Sequence, residues 1–94
     1  MKVLISPGYG AGFSTWNSEE MAFDEDLIAL FERGCTEEEM VDLCISRGYG
    51  KPYMGGFSQL RVVNVPSGTV FYIGEYDGYE SIELLNRFHW VVAK

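Results

Sequence analysis

The spacing of apolar and polar positions changes twice along the chain. At the start, Lys2-Val3-Leu4-Ile5-Ser6 is a short β-branched run stopped by Pro7-Gly8, which predicts a first strand over Lys2–Ser6. Between residues 24 and 48 the apolar positions fall at helical spacing. Leu27, Ile28 and Phe31 make one stripe, and Asp24 stands where a cap accepts the free amides of a first turn. Phe23 and Ile28 occupy the two positions of a hydrophobic staple, and Gly34 is a natural stop. Thr36-Glu37-Glu38-Glu39 then reads as a capping box, followed by Met40, Val41, Cys44 and Ile45 on one face, Arg47 in the last turn and Gly48 beyond it. A connection this short predicts a helical hairpin.

From Leu60 onward the pattern is that of strands: Leu60–Val65, a Pro66-Ser67-Gly68 turn, Thr69–Tyr76, an Asp77-Gly78 hairpin turn, Tyr79–Leu85 and Arg87–Ala93. The order β-αα-ββββ predicts an α+β fold. It is an antiparallel sheet of four to five strands with the helix pair packed on one face, in a single domain spanning residues 1–94.

Two stretches fit neither period. Pro7 to Trp16 carries glycines at 8, 10 and 12 among Tyr9, Phe13 and Trp16. Gly48 to Phe57 repeats the mixture with Tyr49, Lys51, Tyr53 and Phe57. Glycine lets a backbone approach another surface closely, and aromatics bring contact area at low entropic cost. These loops either cover the open edge of a small core or line a cleft, with Tyr9, Phe13, Trp16, Tyr49, Lys51 and Tyr53 as the candidate ligand- or partner-binding residues.

Composition narrows the classes. The 94 residues are 47 % hydrophobic and 15 % aromatic, which excludes intrinsic disorder. Fourteen acids against seven bases give a net charge of −7, which argues against direct nucleic-acid binding, because phosphate contacts rely on Lys and Arg. The acidity is segregated. Residues 19–42 hold ten acids and one base, a net of −9, whereas the rest holds four acids and six bases. Either these carboxylates are helix-starting groups on a solvated face, or they form a docking face for Lys and Arg of a partner. Helical side chains three or four apart lie about 5–6 Å from each other, near the phosphate spacing of a nucleic-acid strand, so such a face suits a basic groove. The residues concerned are Glu25, Asp26, Glu37, Glu38 and Asp42.

Catalytic patterns are weak. Gly8-x-Gly10-x-Gly12 lacks the helix start and the second parallel strand of a dinucleotide fold, which leaves only a nest of backbone amides for a small anion. Gly12-Phe13-Ser14-Thr15-Trp16 begins like a nucleophile elbow but lacks its closing glycine. The one histidine, His89, falls mid-strand and reads as a sheet residue; it leaves no multi-histidine or His–Cys metal site. Asp77, Glu80 and Glu83 read as a polar outer strand face. Cys35 and Cys44 read as reduced structural thiols, and the chain carries no membrane-span run and no signal-peptide core. The expectation is a cytoplasmic protein that is not an enzyme and uses no cofactor and no metal.

Three segments taken together, Ile5-Ser6-Pro7-Gly8-Tyr9-Gly10-Ala11-Gly12, Arg47-Gly48-Tyr49-Gly50-Lys51-Pro52-Tyr53 and Glu75-Tyr76-Asp77-Gly78-Tyr79-Glu80-Ser81-Ile82, resemble small uncharacterised bacteriophage and prophage proteins. In size and acidity the chain is also similar to anti-CRISPR and other anti-defence proteins. That resemblance implies a stoichiometric inhibitor in the host bacterial cytoplasm, bound to a host protein with a basic, nucleic-acid-binding surface; it assigns no residue. The alternatives are a nucleotide-binding or sequestering module built on the two Gly-aromatic loops, and a self-associating structural or regulatory protein.

Overall fold

The computed structural model describes residues 1–10 and 12–84. Within them lie strand β1 (Lys2–Ile5), helices α1 (Glu25–Glu32) and α2 (Glu37–Ser46), and strands β2 (Arg61–Asn64), β3 (Phe71–Tyr76) and β4 (Tyr79–Leu84). Short 3-10 turns cover Ser14–Trp16, Glu19–Ala22 and Phe57–Gln59. The fold is α+β.

Both helices begin where local chemistry predicts. The Asp24 carboxylate accepts the amides of Asp26 and Leu27 at 2.9 and 3.2 Å, which satisfies two of the orphan donors of α1. In α2 the capping box is complete: the Glu39 amide donates to the Thr36 hydroxyl at 3.1 Å, and the Thr36 amide donates back to the Glu39 carboxylate at 2.9 Å. Those bonds hold the Glu39 carboxyl below its usual range, the backbone amide of Thr36 contributing most and its hydroxyl next. The helices end at Gly34 and Gly48, with φ of 80° and 88°. Only glycine takes that left-handed conformation without cost, so Gly48→Ala should lose about 1 kcal/mol and lower the melting temperature by about 4–8 °C. A thermal melt followed by circular dichroism checks this.

The strands depart from the expected meander. Among the described residues they form two antiparallel sheets of two, β1–β2 and β3–β4, in place of one continuous sheet. The fifth expected strand, over 87–93, lies outside the described residues. In the first sheet Val3 faces Val63 and Leu4 faces Val62; in the second Ile73 faces Ile82 and Glu75 faces Glu80. An isolated bridge from Pro7 to Tyr79 links the chain just after β1 to β4. It is reinforced by the Glu80 amide donating to the Ser6 carbonyl at 3.0 Å.

Burial on both sides of β1 explains this arrangement. Val3 and Leu4 are wholly buried and Ile5 nearly so, although alternation sends them to opposite faces. Leu4 packs into one cluster with Phe13, Met21, Leu27, Ile28, Met40, Cys44, Met54 and Leu60. Val3 and Ile5 join Ala22 and Val65 in a second cluster, against which Phe71, Ile73 and Ile82 pack. The helical hairpin therefore covers one face of the β1–β2 ribbon, as expected, while the β3–β4 hairpin covers the other. A continuous apolar run such as Val3-Leu4-Ile5 is what a strand covered on both faces requires. Both thiols belong to the helical layer. Burial, with a smaller contribution from Asp24, pushes the Cys44 thiol up to about 11, and burial also raises that of the half-buried Cys35.

Candidate functional site

The first Gly-aromatic loop closes around a carboxylate. Glu80 is 0 % exposed, and its side chain reaches from β4 into the bend that follows β1. One carboxylate oxygen accepts the Ser6 amide at 2.9 Å. The other accepts the amides of Phe13 and Thr15 at 2.8 and 3.0 Å and the Thr15 hydroxyl at 2.6 Å. The loop does gather amides around an anion, but they are those of Ser6, Phe13 and Thr15 and not of the glycines, and the anion is the protein's own side chain. This corrects the reading of Asp77, Glu80 and Glu83 as one polar outer face. Asp77 and Glu83 are exposed, whereas Glu80 shares the inner face with Ile82. Ser14, the central residue of the elbow-like segment, is not presented to solvent. It is 3 % exposed in a 3-10 turn, and His89 lies outside the described residues.

Asn17 fastens the two loops together. Its amide nitrogen donates to the carbonyls of Phe13 and Tyr53 at 2.7 and 2.9 Å, and its oxygen accepts the Tyr53 amide at 2.8 Å. The side chain thus replaces a strand partner for Tyr53, and the Trp16 and Tyr53 rings lie 5.6 Å apart beside it. The other aromatics do not join them. Tyr9 leans on Tyr79 with ring centroids 5.0 Å apart, Phe13 is in the core, and Tyr49 points to Asp24. Lys51 is exposed. Tyr9, Trp16, Tyr49 and Tyr53 therefore occupy three separate places and line no common cleft, because each loop is pinned by its own buried polar group. Of the six candidate loop residues, Phe13 and Tyr49 are drawn into the fold, whereas Tyr9, Trp16, Lys51 and Tyr53 are exposed.

A second polar cluster sits where the helices meet. The Asp24 oxygen not used in capping accepts Arg47 Nε at 2.9 Å and the Tyr49 hydroxyl at 2.6 Å. Burial works to raise the Asp24 carboxyl, but the hydrogen bonds from Tyr49, Arg47, Leu27 and Asp26 outweigh it and hold the group below its usual range. The same contacts act on the partners: the hydrogen bond to Asp24, then burial, raises the Tyr49 hydroxyl, and Asp24 raises Arg47. Arg47 also reaches Asp26 at 3.3 Å, so the start of α1 adjoins the end of α2.

That pairing redistributes the acidic residues. Glu25 and Asp26 stand at one end of the hairpin and Glu37 and Glu38 at the other, separated by the length of α2, about 15 Å for ten residues. All five candidate carboxylates, Asp42 included, are exposed. Several acids of the segment are already engaged: Asp24 and Asp26 by Arg47, Glu32 by Lys2 at 2.8 Å, and Glu39 in its capping box. On α2, Glu38, Asp42 and Ile45 fall at i, i+4 and i+7, and Ile45 is 51 % exposed.

No family model, no curated protein and no solved structure matches this chain. The reading of the site rests on its geometry. Among the described residues no group of three or more His, Cys, Asp or Glu is placed to hold a metal ion, and no helix is long and apolar enough to cross a membrane. Glu80, Asn17 and Asp24 are the organising polar residues. Only Asp24 carried a sequence signal for its role, as a cap. Its second function as the anchor of Arg47 and Tyr49 needed the hairpin geometry.

Proposed function

We propose that the protein is a small acidic binding protein that docks through α2 onto a basic surface of a host nucleic-acid-handling or defence complex. In this reading it is a stoichiometric, anti-CRISPR-like inhibitor of bacteriophage type acting in the bacterial cytoplasm, with no catalytic step of its own. The supporting observation is the state of Glu37, Glu38 and Asp42. They are exposed and make no ion pair or hydrogen bond among the described residues, unlike Asp24, Asp26, Glu32, Glu39 and Glu80. Uncommitted carboxylates at helical spacing are free to meet Lys and Arg of a partner without first breaking internal bonds, and they speed encounter by long-range attraction. The exposed Ile45 on the same stripe adds apolar contact. The proposed face is narrower than the sequence suggested, because Asp26 is committed to Arg47 and Glu25 stands at the far end of the hairpin.

The test combines charge reversal with salt. Glu37→Lys, Glu38→Lys and Asp42→Lys together should abolish capture of a basic host effector and leave the melting temperature within about 2 °C, as befits surface positions. Binding by the unaltered chain should weaken progressively between low and high ionic strength, as exposed charges are screened beyond about 10 Å at 0.1 M salt. Capture that survives the triple reversal, or that ignores salt, defeats this reading.

A further inference from the structure

Between the first loop and β3 lies a cavity of about 420 Å³. Its size suits a small ligand or a single inserted side chain. Ser14, Thr15, Asn17 and Glu19 supply its polar wall, and Phe23, Phe71 and Ile73 the apolar one, with the Phe23 and Phe71 rings meeting edge to face at 6.2 Å. Among the described residues no Lys, Arg or His lines it.

The hydrogen-bonding capacity of this wall leans towards acceptors. The Thr15 hydroxyl gives its proton to Glu80, so its oxygen can only accept. Both protons of the Asn17 amide nitrogen are committed to the carbonyls of Phe13 and Tyr53. Glu19 contributes an exposed carboxylate with no partner among the described residues. Ser14 is 3 % exposed and lines the cavity, and its hydroxyl makes no hydrogen bond among the described residues. A ligand here meets acceptors, one negative charge and aromatic surface. The Ser14 and Tyr72 hydroxyls on the wall can donate or accept, so it is the committed acceptors and the negative charge that favour a ligand edge of N–H donors.

We propose that this cavity binds a guanidinium group. Guanidinium is planar, cationic and donor-only, and its faces stack on aromatic rings. An ammonium is more strongly hydrated and has no flat face for the apolar wall. A nucleobase edge carries ring acceptors, which the Ser14 and Tyr72 hydroxyls would have to meet with no charge to assist them, and an anion finds no positive charge among the described lining residues. The site shares no residue with the Glu37, Glu38 and Asp42 stripe and stands whether or not that stripe docks a partner. The guanidinium could be an arginine side chain of a polypeptide or a free small molecule.

Titration of the isotopically labelled full chain with N-acetyl-arginine amide, followed by NMR, should produce saturable shifts at Ser14, Thr15, Glu19 and Ile73. N-acetyl-lysine amide should bind about tenfold more weakly, and adenosine and inorganic phosphate should leave these resonances in place. Glu19→Gln, at a side chain with no bond among the described residues, should melt as the unaltered protein does yet bind the arginine probe about tenfold more weakly. Ser14→Ala should weaken binding less. A capped Gly-Arg-Gly peptide that binds more tightly than free arginine supports the side-chain source, and the reverse order supports a free ligand. The proposal is overturned by the absence of saturable shifts with every guanidinium probe, by an equal response to the lysine probe, by selective binding of adenosine, or by undiminished binding in Glu19→Gln.

Discussion

Replacing Glu80 with alanine should lower the melting temperature by about 20 °C or more, the largest effect expected from any single substitution in this chain. The carboxylate serves the Ser6, Phe13 and Thr15 amides and the Thr15 hydroxyl, and it is wholly buried. Its removal leaves these donors facing a void. Each buried donor stripped of its acceptor costs about 1–3 kcal/mol, so with partial relaxation the loss is about 4–5 kcal/mol. A domain of this size has about 5–15 kcal/mol in total. Glu80→Gln isolates the chemistry from the volume. One oxygen still accepts, but an NH2 group now meets N–H donors, and a smaller loss of about 2–3 kcal/mol follows. Thermal and denaturant melts of both variants give the ranking, and amide hydrogen exchange at Phe13 and Thr15 reports where the structure loosens. An alanine variant that melts within about 5 °C of the unaltered protein would show that the loop is held by its apolar contacts instead.

Glu80 also shows where the sequence was legible and where it was not. Helix starts depend on residues within one turn, so Asp24, Thr36 and Glu39 could be assigned to their caps from spacing alone, and the structure places them there. Strand faces were partly legible. Asp77, Glu80 and Glu83 are spaced by three, and a period of two cannot place all of them on one face; Glu80 belongs with Ile82, as the pairing with Glu75 and Ile73 confirms. What Glu80 binds was not legible, since its donors lie 65 to 74 residues away and backbone amides leave no trace in a sequence. The same holds for Asn17, whose side chain stands in for a peptide group. The division into two sheets was foreshadowed by Val3-Leu4-Ile5, too apolar for a strand with a wet face, but which hairpin would cover it depends on distant packing. The acidic candidates were read as one surface because they are near in sequence. An antiparallel hairpin sends the two helix starts to opposite ends, and the Asp26–Arg47 pair records that separation.

Asp24→Asn is expected to be the second most damaging change, and its effect should depend on pH in a defined direction. Asparagine caps helices about as well as aspartate, so the bonds to the Asp26 and Leu27 amides survive. What is lost is the negative charge that Arg47 and the Tyr49 hydroxyl engage at 2.9 and 2.6 Å. Hydrogen bonds to a charged group contribute about 1.5–3 kcal/mol, which predicts a fall of about 2 kcal/mol, or about 8–16 °C, at neutral pH. The Asp24 carboxyl is held below the ordinary value of 3.8 in the folded chain, so the unfolded chain takes up its proton first on acidification. The stabilisation by this charge is therefore complete above that ordinary value and is lost as pH falls through the lower folded one. Melting temperatures of the two proteins should stand apart at pH 7 and approach each other below about pH 4. A gap that stays constant down to pH 2 would mean that the charge contributes nothing and that asparagine only perturbs packing. Because Arg47 and Tyr49 follow α2 directly into the second Gly-aromatic loop, loosening them should also free the segment after Gly48, and faster exchange at the Tyr49 amide would mark it.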